Sequence, residues 1–239
     1  MANVTIIIPL YNSESYIEKT LVSLLDQSRS DYKVVFVDDC SDDDTVNVVN
    51  GFLTKFVDAS LICLKENVGP GKARNVGVHA SKSNLIAFLD SDDIWEPDKL
   101  EIQLGVHKAT RCAFSCTAFR FGKNEIFQDR TDYDALLKNN VINTSSVMFD
   151  KSQVNIEFES EYKSEDYVAW LDVAKKTQIQ FINKVLVERR ELEGLSANKF
   201  AMAARRWQIY RNIEKLGFLR ALYYFSCYAV SGLIKHAKS

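Results

Sequence analysis

Short apolar runs alternate with amphipathic stretches through the first half of the chain. Thr5–Ile8, Tyr32–Val37, Leu61–Leu64 and Leu85–Leu89 are brief and mostly apolar, the signature of buried strands. Between them the pattern predicts four helices. The first runs from an N-cap at Ser13 to about Gln27, and the second spans Asp42–Phe56 with acidic residues in its first turn. The third, Pro70–Ala80, carries proline in its first turn, and the fourth is Pro97–Lys108. Strands alternating with helices of this length imply right-handed βαβ units and a parallel sheet.

The pattern changes after about residue 111. Ala113–Phe121 and Ser145–Phe149 read as strands separated by a polar segment, followed by a helix from Glu165 to about Lys176 and a strand at Ile179–Val187. This predicts a smaller mixed sheet attached to the parallel one. A nucleotide is expected in the first half (1–110) and a second substrate in the following part (111–198).

Charge separates the body from a tail. Residues 1–198 carry 22 Lys/Arg against 31 Asp/Glu, net −9, whereas residues 199–239 carry 8 against 1, net +7. Met1–Asn3 leads straight into the first strand without a basic leader, so a cytosolic protein is expected. Its five cysteines (Cys40, Cys63, Cys112, Cys116 and Cys227) have no zinc-type spacing and read as reduced thiols, mostly packing residues. His79, His107 and His236 have no ligand-like spacing and read as surface residues.

Chemistry gathers where the strands end. Ile86–Asp98 reads IAFLDSDDIWEPD, a strand that closes on Asp90, Asp92 and Asp93. Carboxylates suit hard cations, and Mg2+ takes one or two of them while substrate phosphates complete its shell; alternatively the segment is a solvated acidic turn that caps the helix starting near Pro97. Val34–Thr45 reads VVFVDDCSDDDT; there Asp39 either accepts a hydrogen bond from a nucleoside or, with Ser41, caps the next helix. Asn67–Gly77 reads NVGPGKARNVG, in which Lys72 and Arg74 open a helix behind two glycines. A helix N-terminus with cations binds diphosphates, although a glycine turn before a solvated helix face reads equally well. The spacing is neither a P-loop nor GxGxxG. All three features fall along one edge of the sheet, where α/β folds bind ligands.

Together with IIIPLYN at Ile6–Asn12 and SEDYVAWL at Ser164–Leu171, these segments resemble the family two glycosyltransferases of the GT-A fold, over roughly residues 3–190. The resemblance implies an α/β, Rossmann-like nucleotide-diphospho-sugar transferase fold in a catalytic domain of residues 1–198. It implies a nucleotide-sugar donor (a UDP-sugar by family frequency), a divalent Mn2+ or Mg2+, and inversion at the anomeric carbon. Carried over by position, Pro9 and Tyr11 would line the base pocket and Asp39 would accept a base N–H. Arg74, with Lys72, would approach the diphosphate. Asp90 and Asp92 form a DxD motif, Asp92 as metal ligand and Asp90 toward the ribose or a metal-bound water, with Asp93 capping the next turn. Asp166 of the Glu165–Asp166 pair would be the catalytic base; without the resemblance, the same residues read as a helix start capped by Ser164. One departure is Asp172, two positions after Trp170, where relatives often carry an arginine.

Glu188–Lys199 resembles a loop that folds over the donor in relatives, with Arg189, Arg190 and Ser196 as candidate contacts. The tail, residues 199–239, carries a stretch rich in apolar and aromatic residues, Gly217–Ile234, among cations. Its uninterrupted apolar part is shorter than the roughly 20 residues a bilayer span requires. It reads either as a helix packed on the domain or as an amphipathic helix on an anionic membrane. The second reading fits a peripheral enzyme at the inner face of the plasma membrane, extending a polyprenyl-linked glycan of a bacterial surface polysaccharide. Nucleic acid is not an expected partner. A sugar-1-phosphate nucleotidyltransferase would need a basic glycine-rich signature where PLYNSES stands, and a non-catalytic sugar-nucleotide scaffold would not need Asp92 and Asp166.

Overall fold

A computed structural model describes residues 4–128, 130–159, 164–190 and 199–237. Strand β1 (Val4–Leu10) is the centre of the sheet and is buried along its whole length. Its β-branched run suits a strand covered on both faces. Parallel to it lie β2 (Tyr32–Asp38) on one side and β4 (Leu85–Phe88) on the other, with β3 (Ala59–Cys63) outside β2.

The second part continues this sheet. Strand β8 (Met148–Asp150) runs antiparallel to β4, then come β6 (Phe114–Phe121), β9 (Ile179–Arg189) and the two-residue β5 (Ile94–Trp95). A short β7 (Asn124–Ile126) pairs with β6. The resulting order is β3-β2-β1-β4-β8-β6-β9-β5. The expected mixed portion is thus present and joined edge to edge to the parallel one through β4 and β8.

Alternation along β1 feeds two cores. Ile6 and Ile8 pack with α1 (Ile17–Leu25), α2 (Thr45–Leu53) and α4 (Lys99–Thr110), through Leu21, Leu24, Val49 and Leu100. Ile7 faces the other core, which holds Val78 of α3 (Pro70–Ala80) and Trp170 of α6 (Glu165–Lys176). Helix α3 lies so close to the sheet that a Cβ on Gly77 would stand 2.4 Å from Ile7 Cγ2.

Two expected helix starts move. Ser13 does not cap α1: its hydroxyl is taken by Tyr11 O and Ser91 Oγ, and the helix opens only at Ile17. Helix α2 has no acid in its first turn, because Asp43 and Asp44 precede it. Asp43 accepts from the N–H groups of Glu14 and Thr45, which ties this acidic run to the loop after β1.

The tail folds as α7 (Lys199–Gln208), a π-helical turn (Ile209–Ile213) and α8 (Phe218–Ala237). Ile209, Tyr210, Leu216, Ala221 and Tyr224 join the core that contains Trp170. Tyr224 Oη donates to Asp134 Oδ1 of α5 (Tyr133–Lys138) at 2.6 Å. The tail therefore packs on the body, yet Phe218, Leu219, Leu222, Tyr223 and Val230 remain exposed. Among the described residues no helix is long and apolar enough to cross a membrane.

His107 is not a surface residue. It is buried within α4 and hydrogen-bonded to Ser115 Oγ at 2.8 Å, and burial pushes its pKa down. His79 is exposed, and the side chain of His236 lies outside the described residues. Among the thiols Cys116 is buried, whereas Cys40 and Cys63 are exposed, so a packing role does not extend to those two.

Candidate functional site

The ends of β1, β2 and β4 and the start of α3 enclose a cleft of about 390 Å3. Pro9, Tyr11, Asp39, Arg74, Asp90 and Asp92 all line it, so six side chains singled out from sequence converge. Tyr16, Asn67 and Ser91 also line it; Asn67 and Ser91 lie within quoted motifs and Tyr16 just past one, but their own residue types carried no signal. Lys72 is exposed and does not line the cleft.

Asp39 is buried and does not cap α2. Its two carboxylate oxygens accept from the N–H groups of Val68 (2.7 Å) and Gly69 (2.8 Å), which fixes the turn into α3. Gly69 holds a φ of +88°, a conformation natural to glycine. A carboxylate has about four acceptor positions, so Asp39 keeps acceptor capacity toward the cleft.

Arg74 is buried, and its Nη2 donates to Asp90 Oδ1 at 2.5 Å. Its Nε is buried with no hydrogen-bond partner among the described residues. The charges of Asp166 and Glu165 also act on the guanidinium. Arg74 thus stands between the acidic turn after β4 and the start of α6, and its first commitment is to Asp90.

Helix α6 begins as the pattern predicted, but Ser164 supplies no side-chain cap and sits at φ +87°. Gly71 passes so close that a Cβ there would lie 2.8 Å from Glu165 Cγ. The Asp166 carboxylate accepts from the Tyr167 N–H at 2.7 Å. Burial raises the Asp166 pKa; the Tyr167 hydrogen bond and the Arg74 charge oppose that rise, and Glu165 and Asp90 add to it. Asp172, the departure noted in the sequence, forms a surface pair with Lys176.

The three acids after β4 have different surroundings. Asp90 is paired with Arg74. Asp92 lines the cleft with no ion pair among the described residues. Burial and the neighbouring Asp90 raise its pKa, against the charges of Arg189 and Arg190. Asp93 is buried and does not cap the next turn. Its carboxylate accepts from Ser145 Oγ (2.6 Å) and from the Arg190 N–H (3.2 Å), and burial pushes its pKa up to about 7. Among the described residues no three His, Cys, Asp or Glu side chains converge as a ligand group. A divalent ion here fits as one held by Asp92, with Asp90 beside it, and completed by phosphate oxygens. A cation at Asp92 would offset the charge of the neighbouring Asp90, which adds to the rise that burial causes.

Arg189 and Arg190 diverge at the end of β9. The Arg189 guanidinium lies over the Phe121 ring (5.1 Å to the centroid), and that of Arg190 over Tyr16 (5.2 Å), a residue of the cleft wall. Ser196 lies outside the described residues.

Comparison with known proteins identifies the family and the fold. The sequence model described as glycosyl transferase family 2 matches residues 5–167. A putative teichuronic acid biosynthesis glycosyltransferase of Bacillus subtilis is 35% identical, over 97% of this chain and 96% of its own length. An Escherichia coli UDP-Glc:alpha-D-GlcNAc-diphosphoundecaprenol beta-1,3-glucosyltransferase is 34% identical, over 100% and 97%. Among solved structures, S. aureus TarS 1-349 in complex with UDP-GlcNAc superposes with a TM-score of 0.73 at 20% identity, over 95% of this chain and 71% of that one. A mannosyltransferase from Pyrobaculum calidifontis in complex with GDP-Man and Mn2+ gives 0.71 at 17% identity, over 99% and 76%. At such identities these two establish a shared fold.

Proposed function

The chain belongs to glycosyl transferase family 2, and we propose that it is an inverting transferase that moves a sugar from a UDP-sugar to a hydroxyl of a polyprenyl-diphosphate-linked glycan. The observation that carries this reading is the cleft itself, with Asp92, which has no ion pair among the described residues, on its wall and the Asp90–Arg74 pair between it and Asp166. The relatives acting in teichuronic acid synthesis and on GlcNAc-diphosphoundecaprenol support a surface-polysaccharide acceptor.

Pro9 and Tyr11 form the apolar wall against which a base would stack, and Asp39 faces it as a hydrogen-bond acceptor. Asp92, with Asp90 beside it, would hold Mn2+ or Mg2+; when bound, such an ion supplies Lewis-acid stabilisation of the departing diphosphate. Arg74 holds Asp90 in place and keeps positive charge beside Asp166. Asp166 takes the proton from the acceptor hydroxyl as that oxygen attacks the anomeric carbon from the face opposite the leaving group. A positioned general base contributes about 10²–10⁴-fold. One base suffices, because direct displacement forms no covalent enzyme intermediate.

The second part of the sheet, with α6, would present the acceptor. Leu219, Leu222, Tyr223 and Val230, exposed on α8 near Arg220 and Lys215, fit an anionic lipid surface at the inner face of the membrane where such acceptors are carried.

The test is turnover of UDP-glucose and UDP-GlcNAc with a synthetic polyprenyl-diphosphate GlcNAc acceptor. The reading predicts release of UDP, a product of inverted anomeric configuration, and a loss of about 10²–10⁴-fold in kcat for Asp166→Asn. Pyrophosphate release, or a retained configuration, contradicts it.

A further inference from the structure

Asp93 is the third acid of the turn after β4, yet it does not line the cleft. It is 2% exposed. Its Oδ2 accepts from Ser145 Oγ at 2.6 Å and its Oδ1 from the Arg190 N–H at 3.2 Å. Ser145, itself fully buried, reaches back to the same turn: its Oγ accepts from the Asp90 N–H at 3.0 Å. Its carbonyl is held by Trp95 Nε1 at 2.8 Å. Thr20 of α1 also holds the turn, donating to the carbonyls of Ser91 and Asp93.

We infer that Asp93 and Ser145 are positioning residues, a buried brace that fixes the Asp90–Asp92 turn against the Arg190 end of β9 and thereby sets the affinity for a divalent ion. Two donors from separate segments occupy different oxygens of Asp93, a demand that a carboxylate meets and a carboxamide, with one oxygen, does not. A buried carboxylate is costly and would not be needed to close a turn that Thr20 already ties. The brace holds Asp90 by its backbone N–H, while Arg74 contacts its side chain. It also holds the backbone of Arg190, whose guanidinium lies on the cleft-wall residue Tyr16. Groups hydrogen-bonded behind a metal site typically set about 10–100-fold of its affinity. The inference rests on the reading of Asp92 as a metal ligand.

The test uses the full chain as wild type, Asp93→Asn and Ser145→Ala, with Mn2+ titrated by electron paramagnetic resonance in the presence of UDP. Backbone amide exchange of Asp90 and Arg190 is followed in parallel without ligand. The brace predicts Mn2+ affinity lower by about 10–100-fold in both variants. It also predicts faster exchange at both amides, while amides of β3, at the outer edge of the sheet, keep their wild-type rates. Folded variants with wild-type Mn2+ affinity and unchanged protection at Asp90 and Arg190 overturn it. If Asp93→Asn does not fold, Ser145→Ala carries the comparison. Absence of Mn2+ binding in the wild type contradicts the metal reading instead; the exchange rates then decide the brace, unchanged protection again overturning it.

Discussion

Arg74 and Asp90 form an ion pair at 2.5 Å in which the arginine is buried and the aspartate side chain is 27% exposed. From sequence, Arg74 read as a diphosphate ligand. Its place in the fold gives it another task, because it is the positive charge that both the acidic turn and the start of α6 surround. Removing one partner of a fully buried pair costs about 3–5 kcal/mol; partial exposure of Asp90 lowers the expectation for Arg74→Met to about 2–3 kcal/mol. Urea unfolding monitored by circular dichroism measures it, and a cost below about 0.5 kcal/mol would mean that the pair contributes little.

The same arginine governs the pH dependence. Burial raises the Asp166 pKa, and Arg74 opposes that rise. A general base works ionised, so activity falls as pH drops through this raised pKa. The acidic limb of kcat should therefore lie above the ordinary aspartate value of about 3.9. In Arg74→Met it should move to still higher pH, since the opposing charge is gone. A limb that stays put in the variant would separate Arg74 from Asp166.

Two glycines in successive helices should respond oppositely to alanine. At Gly77 a Cβ would stand 2.4 Å from Ile7 Cγ2 in the packed centre of the sheet. Overpacking of this kind costs about 1–3 kcal/mol. At Gly51, inside α2, nothing lies within 4 Å of the added Cβ, and the helix gains about 0.5–1 kcal/mol. Chemical denaturation of Gly77→Ala and Gly51→Ala checks both signs against one wild-type curve.

The tail predicts salt-sensitive attachment to anionic vesicles. Leu219 and Leu222 are exposed, so the double variant Leu219→Asp, Leu222→Asp should keep its melting temperature. It should lose co-sedimentation with phosphatidylglycerol vesicles at low salt, both by losing apolar contact and by adding like charge. Wild-type protein that ignores such vesicles at low salt would count against membrane docking.

Most of the parallel half was legible because each strand is a short buried run and each helix an amphipathic one; Pro70–Ala80 and Glu165–Lys176 have the bounds their patterns predicted. What escaped depends on partners distant in the chain. Ile94–Trp95 is too short to show a period and becomes a strand only against Val187 and Glu188. Ser13 has the composition of a cap, but Ser91, on the turn after β4, claims its hydroxyl. His107 looks polar on its helix until Ser115 supplies a buried partner. Pro9, Tyr11, Asp39, Asp90 and Asp92 were readable because each sits at or just past the end of a recognisable strand, and Arg74 because it opens the helix behind two glycines. The Asp93–Ser145 contact was not, since nothing in the NTSS stretch around Ser145 marks it as the support of an acidic turn 52 residues away.

The central claim, a metal-dependent nucleotide cleft built on Asp92, is tested most directly by thermal unfolding with UDP, GDP, CDP or ADP, each with and without Mn2+, on wild type and Asp92→Ala. Ligand at about 100 times its dissociation constant adds roughly 2.7 kcal/mol, a readily measured shift. The account predicts stabilisation by UDP that requires Mn2+ and disappears in Asp92→Ala while the variant stays folded. A folded wild type that no nucleotide stabilises, or a shift that survives in Asp92→Ala, would contradict it.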